Sequence, residues 1–599
     1  MRLCENRPVP IFLCDRLKAQ IQSLLTEALA ALGPEVRVPE GLVAEVERTK
    51  DPAHGDFATH VALRLAKSTG RKPRDLAAAI VAKLPANTLI AKCEIAGAGF
   101  INFYLARGAH NDELESIVDQ GAAYGRSTSG NGRSVNIEFV SANPTGPLHV
   151  GHGRLAAYGA SLANLLEAVG HKVHREYYIN DAGRQMEILA ASVWLRYLEL
   201  GGQSFAFPSN GYRGEYLKPI AADLRAKFAA KFERKADEVF TGLPPDAPAG
   251  NEDEYIDAVI ARSRDLIGAV AYREIHDFAL AEMLAVIRED LAAFGVTFDE
   301  WYSERSLAES GDVDRALDAL RSSGHLYQKD GAWWFRSTDF GDEKDRVVVR
   351  ENGQKTYFAS DIAYAINKRK RGFQHLLYVW GADHHGYIVR TRASLEAAGE
   401  PGDCFEVRLI QFVALYRGGV QISMGKRSGE FVTLKDLRNE VGNDATRFFY
   451  VMRGNDQHLD FDLELAKSRS NDNPVYYIQY AHARVASVLK QLRDRGLAFD
   501  DRLARASLGL LVNEHELALV RSLVQFPEII AQAAALRAPH MLVHYLRDLA
   551  NDFHTYYNAH TFIVEEATLR NARLLLIQAL RQVIANGLGL IGVSAPDSM

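Results

Sequence analysis

The sequence predicts an α/β protein built on a doubly wound parallel sheet, with an α+β domain before the sheet and an all-α bundle after it. Three observations carry this prediction. Residues Ser134–Gly170 read as strand, Pro/Gly turn and helix, and KVHREYYIND from Lys172 reads as the returning strand of a βαβ unit. HLLYVWGADHHG, from His375, is a second buried-strand run that ends in a turn. From about Val441 onward the pattern is almost wholly helical.

Composition bounds the reading. A chain of 599 residues is longer than one core can organise, so three or four domains are expected. A net charge of −6 means that a nucleic-acid partner would have to meet local basic patches. Cys4, Cys14, Cys93 and Cys404 lie far apart with no CxxC, which argues against a zinc knuckle and fits a reducing cytosol. No run of about 18 uncharged apolar residues is present, so no membrane span is expected. Charges crowd the short apolar patch at the N-terminus, which speaks against a signal peptide.

Residues 1–120 read as the first domain. LKAQIQSLLTEALAAL, HGDFATHVALRLAKSTG and RDLAAAIVAKL read as three helices, the second with Asp56 as its N-cap and Gly70 as its stop. KCEIAGAGFINFYL alternates like a strand, with a turn or bulge at Gly97 and Gly99. Residues 108–133 read as a connector.

The unit from Ser134 opens with Val135, Ile137 and Phe139 alternating with polar residues. Glu138 is written into that apolar strand, an odd place for a charge unless something pairs with it. His149 and His152 sit three apart at the helix start and share a face. The free N–H groups of the helix start suit a phosphate, and Gly151 and Gly153 leave room for a base or ribose. Asn180–Gln185 follows the second strand, where doubly wound sheets place ligands.

Residues 187–330 read as a mostly helical interruption of the sheet. Beyond it, Tyr357, Asp361 and Tyr364 share a helical face by spacing, though Asp361 also suits a helix first turn. Asp383, His384 and His385 follow LLYVW at a strand end, and no third ligand spacing suits zinc. Gly418-Gly419 marks a hairpin, and Thr433 with Asp436 a capping box. In the last block, Tyr476, Tyr480 and Arg484 can either stack splayed bases or pack as core.

His149-Val150-Gly151-His152 is similar to the HIGH signature of class I aminoacyl-tRNA synthetases, and EFVSANPTGPLHVGHGR resembles the arginine-specific members. The resemblance spans nearly the whole chain. It implies a Rossmann-like, HUP-type core at 134–450 with a connective insertion at about 187–330. An N-terminal domain that docks on the tRNA elbow and an all-helical anticodon-binding domain at 455–599 complete it. ATP with Mg2+, L-arginine and tRNA(Arg) are the implied substrates. The implied protein is a cytoplasmic monomer without zinc that activates arginine only with tRNA bound.

Site residues follow from the same resemblance. His149 and His152 would stabilise the phosphate, and Gly151, Gly153, Asp383 and His384 would line the ATP site. Glu138 and Asp361 would grip the guanidinium, because a planar cation is best held by carboxylates. Tyr357, Asn143, His149 and His385 would complete the arginine site. Ser423-Met424-Gly425-Lys426-Arg427 resembles the KMSKS loop but lacks its first lysine. Met424 would lie on ATP, and Lys426 and Arg427, with Arg154, would put positive charge on the triphosphate. Phe100 and Asn102 match positions that read a D-loop base, or else are core and strand-end residues. Tyr476, Tyr480 and Arg484 would meet the anticodon.

Overall fold

The computed structural model describes residues 16–599 except 34–35, 40, 50, 107 and 423–431. Five parallel strands form the central sheet: β1 (Ser134–Phe139), β2 (Lys172–Ile179), β3 (Glu300–Ser303), β4 (His375–Gly381) and β5 (Phe405–Ile410). Their order across the sheet is β5-β4-β1-β2-β3, and every neighbouring pair is parallel. The order reverses between β1 and β4, so the crevice at their carboxyl ends is the expected ligand site. The turns carrying His149 and Asp383 both leave from that crevice.

Helix α1 (Val150–Ala168) crosses from β1 to β2 and is buried along nearly its whole length. Gly159 on α1 faces β1 so closely that a Cβ would overlap the Phe139 ring. Helix α2 (Glu304–Glu309) follows β3 directly. Helix α3 (Tyr357–Lys370) runs back along the sheet and leads into β4, and helix α4 (Ile388–Ala397) follows the Asp383 turn.

One sequence reading is corrected at β3. Residues 187–330 do not lie wholly outside the sheet, because Glu300–Ser303 pairs with Glu176–Ile179 as its edge strand. A four-residue strand carries too little periodicity to be seen inside a helical block.

The N-terminal unit is an antiparallel sheet of Glu47–Arg48, Phe57–Thr59, Phe100–Leu105 and Ile90–Ala96, covered by helices. Its core includes Ile21, Leu25, Phe57, Leu65, Ile80 and Phe103. Gly70 ends its helix in the left-handed conformation, as read from the sequence. Asp56 is not that helix's N-cap. The helix begins at Val61 with His60 at its cap, and the Asp56 carboxylate accepts the Leu105 N–H at 2.8 Å beside the strand Phe57–Thr59.

Residues 108–133 are more than a connector. The helix Asn111–Gln120 packs on the last helix, Ala567–Leu590, where Asn586 donates to the Gly121 and Tyr124 carbonyls. The C-terminal block is a bundle that includes Pro474–Asp494, Glu514–Leu523, His540–Ala559 and Ala567–Leu590. Among the described residues, no helix is long and apolar enough to cross a membrane.

The contact at Gly159 yields a test. Gly159→Ala forces the Phe139 ring to move, and overpacking of this kind costs about 1–3 kcal/mol. Urea unfolding of the full chain should show a lower midpoint, whereas an unchanged midpoint would mean that α1 can step away from β1.

Candidate active site

Two carboxylates at the sheet's carboxyl edge form no ion pair among the described residues. Glu304 heads α2 directly after β3 and is buried. Asp361 comes from the first turns of α3 and is half-buried. Burial, with the Asp361 and Asp181 charges, pushes the Glu304 carboxyl up to about 7. Burial also pushes Asp361 up to about 7, where Glu138 adds to the rise and Arg390 opposes it. A buried acidic pair without its counterion is a place prepared for a cation.

Neighbouring polar groups orient this pair. Tyr178 and Ser360 offer hydrogen bonds to Glu304. The Asn180 amide, turned so that its nitrogen faces the acid, donates to Glu304 Oε2 at 2.7 Å and to the Ala182 carbonyl at 2.9 Å. Asn143 lies 3.1 Å from that amide. Tyr357 is exposed at the mouth, and its hydroxyl would lie 2.7 Å from a Cβ on Gly183. Gly183 has φ +106°, so both its backbone and the tyrosine call for glycine there.

Glu138 does not join that pair. Its Oε2 accepts from the Lys368 ammonium at 2.6 Å, and Lys368 also lies 3.7 Å from Glu176. Lys368 is fully buried over the rings of Tyr364 and Tyr378, 4.3 and 4.0 Å from their centroids. The sequence reading places Glu138 on the guanidinium, but its charge is already met from α3 by Lys368, and the acid beside Asp361 that forms no ion pair among the described residues is Glu304. Sequence reasoning missed Glu304 because it lay within the block read as inserted helix. The available signal was WYS, a short apolar strand, followed at once by an acid.

Below the pair lies a row of carboxylates. Glu138, Glu176 and Glu300 stand directly opposite one another on β1, β2 and β3. Arg371 donates to Glu300 at 2.6 Å and also to Glu176, which the Tyr364 hydroxyl contacts as well. Burial alone would raise the Glu176 carboxyl, but Lys368, His174, Arg371 and Tyr364 outweigh it and hold it well below the carboxylate range. His174, Glu176 and Glu300 approach metal-ligand spacing, yet the Arg371 guanidinium already sits on both acids, so the group does not fit a metal ion.

The HVGH turn opens α1 with a pair of histidines that cap it. His149 caps α1: its Nδ1 accepts the Gly151 N–H at 3.1 Å, and His152 Nδ1 accepts the His149 N–H at 3.3 Å. With both Nδ1 atoms accepting, the neutral rings carry their protons on Nε2, where they can donate. The rings stack at 3.6 Å between centroids. Gly151 is tight against the His149 ring, where a Cβ would come within 2.9 Å.

Two further expectations change here. Gly153 is buried against Leu434 and Tyr450, so it serves packing and not nucleotide approach. Arg154 is 1% exposed and donates to the carbonyls of Gln411, Gln457 and Gly454 at 2.8–2.9 Å. Burial lowers its guanidinium to about 10. It braces the loop at 454–457 and is not presented to a triphosphate.

Asp383, His384 and His385 are exposed at the end of β4, with Asp383 and His384 3.6 Å apart. Among the described residues, no hydrogen bond or ion pair links His385 to Glu304 or Asp361. Met424, Lys426 and Arg427 lie outside the described residues. The chain leads there through the hairpin Val413–Arg417/Val420–Ile422 and returns beside HVGH. There Leu434 N–H donates to the Leu148 carbonyl at 2.8 Å, and Thr433 forms the expected capping box with Asp436.

The two nucleic-acid positions differ. Phe100 is 44% exposed, whereas Asn102, on the same face of its strand, is buried. Tyr476 and Tyr480 are half-buried and stacked at 5.9 Å, and the Arg484 guanidinium lies over Tyr480 at 4.4 Å.

Three family models divide the chain. The Arginyl tRNA synthetase N terminal domain matches residues 19–105, the class I (R) tRNA synthetase catalytic domain matches 113–203 and 261–465, and the DALR anticodon binding domain matches 478–599. An arginine–tRNA ligase of Thioalkalivibrio sulfidiphilus is 59% identical over 97% of this chain and all of its own length. The chain belongs to the arginyl-tRNA synthetase family. The corresponding ligase of Halorhodospira halophila is 54% identical over the same shares. Among solved structures, a putative arginyl-tRNA synthetase of Campylobacter jejuni matches with TM-score 0.71 and 31% identity, over 83% of this chain and all of that one. The Thermus thermophilus enzyme shares the fold, with TM-score 0.70 and 24% identity over 97% of this chain and all of its own.

The two acids should be separable by mutation. Glu304→Gln and Asp361→Asn should each weaken arginine binding by about two orders of magnitude, the size of removing one partner of a buried charge pair. Titration calorimetry checks this. Unchanged affinity in both variants would mean that the pair is not the guanidinium site.

Proposed function

We propose that this chain ligates L-arginine to tRNA(Arg) through an arginyl-adenylate, using ATP as its magnesium complex. The single observation that carries the reading is the unneutralised Glu304–Asp361 pair at the sheet's switch-point crevice, within an arginyl-tRNA synthetase chain. A guanidinium stays charged and presents a planar fork, which two carboxylates match in charge and geometry. Tyr357 closes over its edge, and Asn143 and His149 face the substrate's α-amino and carboxylate end.

The reaction needs no covalent protein intermediate. The arginine carboxylate attacks the α-phosphorus in line, and pyrophosphate leaves. His149 and His152 donate from Nε2 to the phosphate oxygens as charge builds, while Lys426 and Arg427 offset charge on the leaving pyrophosphate. Mg2+ enters with ATP as substrate, held largely by phosphates and water. Gly151, Asp383 and His384 line the adenosine side, where an acid can accept both ribose hydroxyl protons, and Met424 lies beside the nucleotide.

The same proposal covers the outer domains. Residues 1–120 meet the tRNA elbow, with Phe100 offering a stacking face. Residues 455–599 meet the anticodon, with Tyr476, Tyr480 and Arg484 at the contact. The protein acts as a cytoplasmic monomer, and tRNA must bind before arginine is activated.

Aminoacylation of total tRNA with each of the twenty amino acids tests the reading. Arginine alone should be charged, and pyrophosphate exchange should be absent without tRNA. Charging by a different amino acid would overturn the assignment.

The raised carboxyls fix the sign of the pH dependence. Both acids are protonated below about 7, and a cation needs them ionised. The KM for arginine should therefore fall as pH rises from about 6 to 8, by up to about tenfold per unit for each group titrating. A flat profile over that window would contradict the pair's role.

A further inference from the structure

Helix α3 carries two sets of charged groups on one face. Tyr357 and Asp361 stand at the crevice, and Tyr364, Lys368 and Arg371 continue the stripe toward the other end of the sheet. The lower set touches no substrate in the proposed reaction. Lys368 is nevertheless a wholly buried ammonium with specific partners, and its charge leads toward the catalytic turn.

The connection runs through Glu138 and Ser141. Lys368 Nζ donates to Glu138 Oε2 at 2.6 Å, and Ser141 Oγ donates to Glu138 Oε1 at 3.2 Å. Ser141 Oγ in turn accepts the Tyr178 N–H at 3.1 Å. The residues fixed in this way are strained: Val140 and Ser141 have φ +68° and +39°, two consecutive non-glycine residues in the left-handed region. For the β-branched Val140 that conformation is an outlier, and it persists only where the surroundings impose it. The chain leaving this turn carries Asn143 two residues on and His149 at the cap of α1.

We propose that Lys368 is a positioning residue for the catalytic turn: through Glu138 and Ser141 it holds Val140–Ser141 in the left-handed conformation that places Asn143 and His149 beside the Glu304–Asp361 pocket. The proposal rests on the arginine-activation reading. The row of acids explains why a lysine is needed. Glu138 and Glu176 are direct cross-strand neighbours, and two buried like charges cannot both stay ionised without a cation between them. Lys368 holds one oxygen of Glu138 and leaves the other turned to accept from Ser141. Without that ammonium, nothing fixes the carboxylate in the orientation that Ser141 needs. Asp361 and Lys368 also share one helix, so the element that grips the guanidinium is the one that braces the turn carrying the phosphate-binding histidine.

The test is steady-state pyrophosphate exchange by the full-length protein with tRNA, alongside calorimetric arginine binding. Ser141→Ala leaves the buried Lys368–Glu138 pair intact, so it should fold. Its kcat should fall by about tenfold to a hundredfold, the cost of an ångström-scale misplacement, with a smaller rise in arginine Kd where Asn143 meets the α-amino end. Lys368→Met should show the same split. Where it folds poorly, Lys368→Met/Glu138→Gln removes both charges together and should fold while keeping the low kcat.

The discriminating variant is Val140→Gly combined with Ser141→Ala. Glycine adopts the left-handed turn without a brace, so this pair should recover most of the lost kcat. A purely structural lesion, or loss of a substrate contact at Ser141, would not be rescued. Unchanged kcat in Ser141→Ala and in the Lys368 variants would overturn the proposal. So would loss of arginine binding in place of kcat, or failure of rescue. Failure of the activation reading itself would appear differently, as absence of arginine activation in the parent protein.

Discussion

The structure depends on how a row of three carboxylates, two of them buried, is neutralised. Glu138, Glu176 and Glu300 form the row across adjacent parallel strands, and Lys368 on α3 and Arg371 at its C-terminal end answer them. Carboxylates this close inside a core tolerate ionisation only with cations set among them. Pairing fixes where α3 lies along the sheet. It also satisfies every acid in the row, so the acids left without a cation are those at the crevice, Glu304 and Asp361.

This division explains how a site can be both crowded with charge and selective. In the proposed reaction, a substrate cation that enters meets the two unpaired acids at the crevice, while the row of acids below holds Lys368 and Arg371. The resting pocket keeps its protons because burial raises both acids to about 7, helped at Glu304 by Asp361 and Asp181 and at Asp361 by Glu138. Exchanging those protons for a guanidinium is favourable in proportion to how costly the bare charges are. The same burial makes the empty pocket a liability for the fold. A carboxyl whose folded pKa is raised withdraws stability as pH rises from the usual carboxylate range, near 4, through about 7, and a bound cation restores it.

Much of this was legible in the sequence, because it depends on short-range pattern. The strand-turn-helix at Ser134–Gly170, the Gly418-Gly419 hairpin, the Gly70 stop and the Thr433–Asp436 capping box all rest on residues within a few positions of one another. The facing of Tyr357 and Asp361 followed from helical spacing. What was missed depends on distant partners. Glu138 was assigned to the substrate by resemblance, with no local partner to account for its charge, and its partner is 230 residues away. Glu304 was invisible because β3 has only four residues and takes its identity from pairing with β2. Arg154 and Gly153 looked available to a nucleotide until tertiary packing placed them against the loop at 454–457 and against Tyr450.

The central claim is that guanidinium binding displaces protons held by Glu304 and Asp361. Calorimetric titration of the tRNA-bound protein with arginine at pH 7, in two buffers of different ionisation enthalpy, measures those protons directly. The account predicts net release approaching about one proton per arginine bound, since both acids titrate near 7. An observed binding enthalpy that is the same in both buffers would mean that no proton moves, and the pocket would have to be ionised before the substrate arrives.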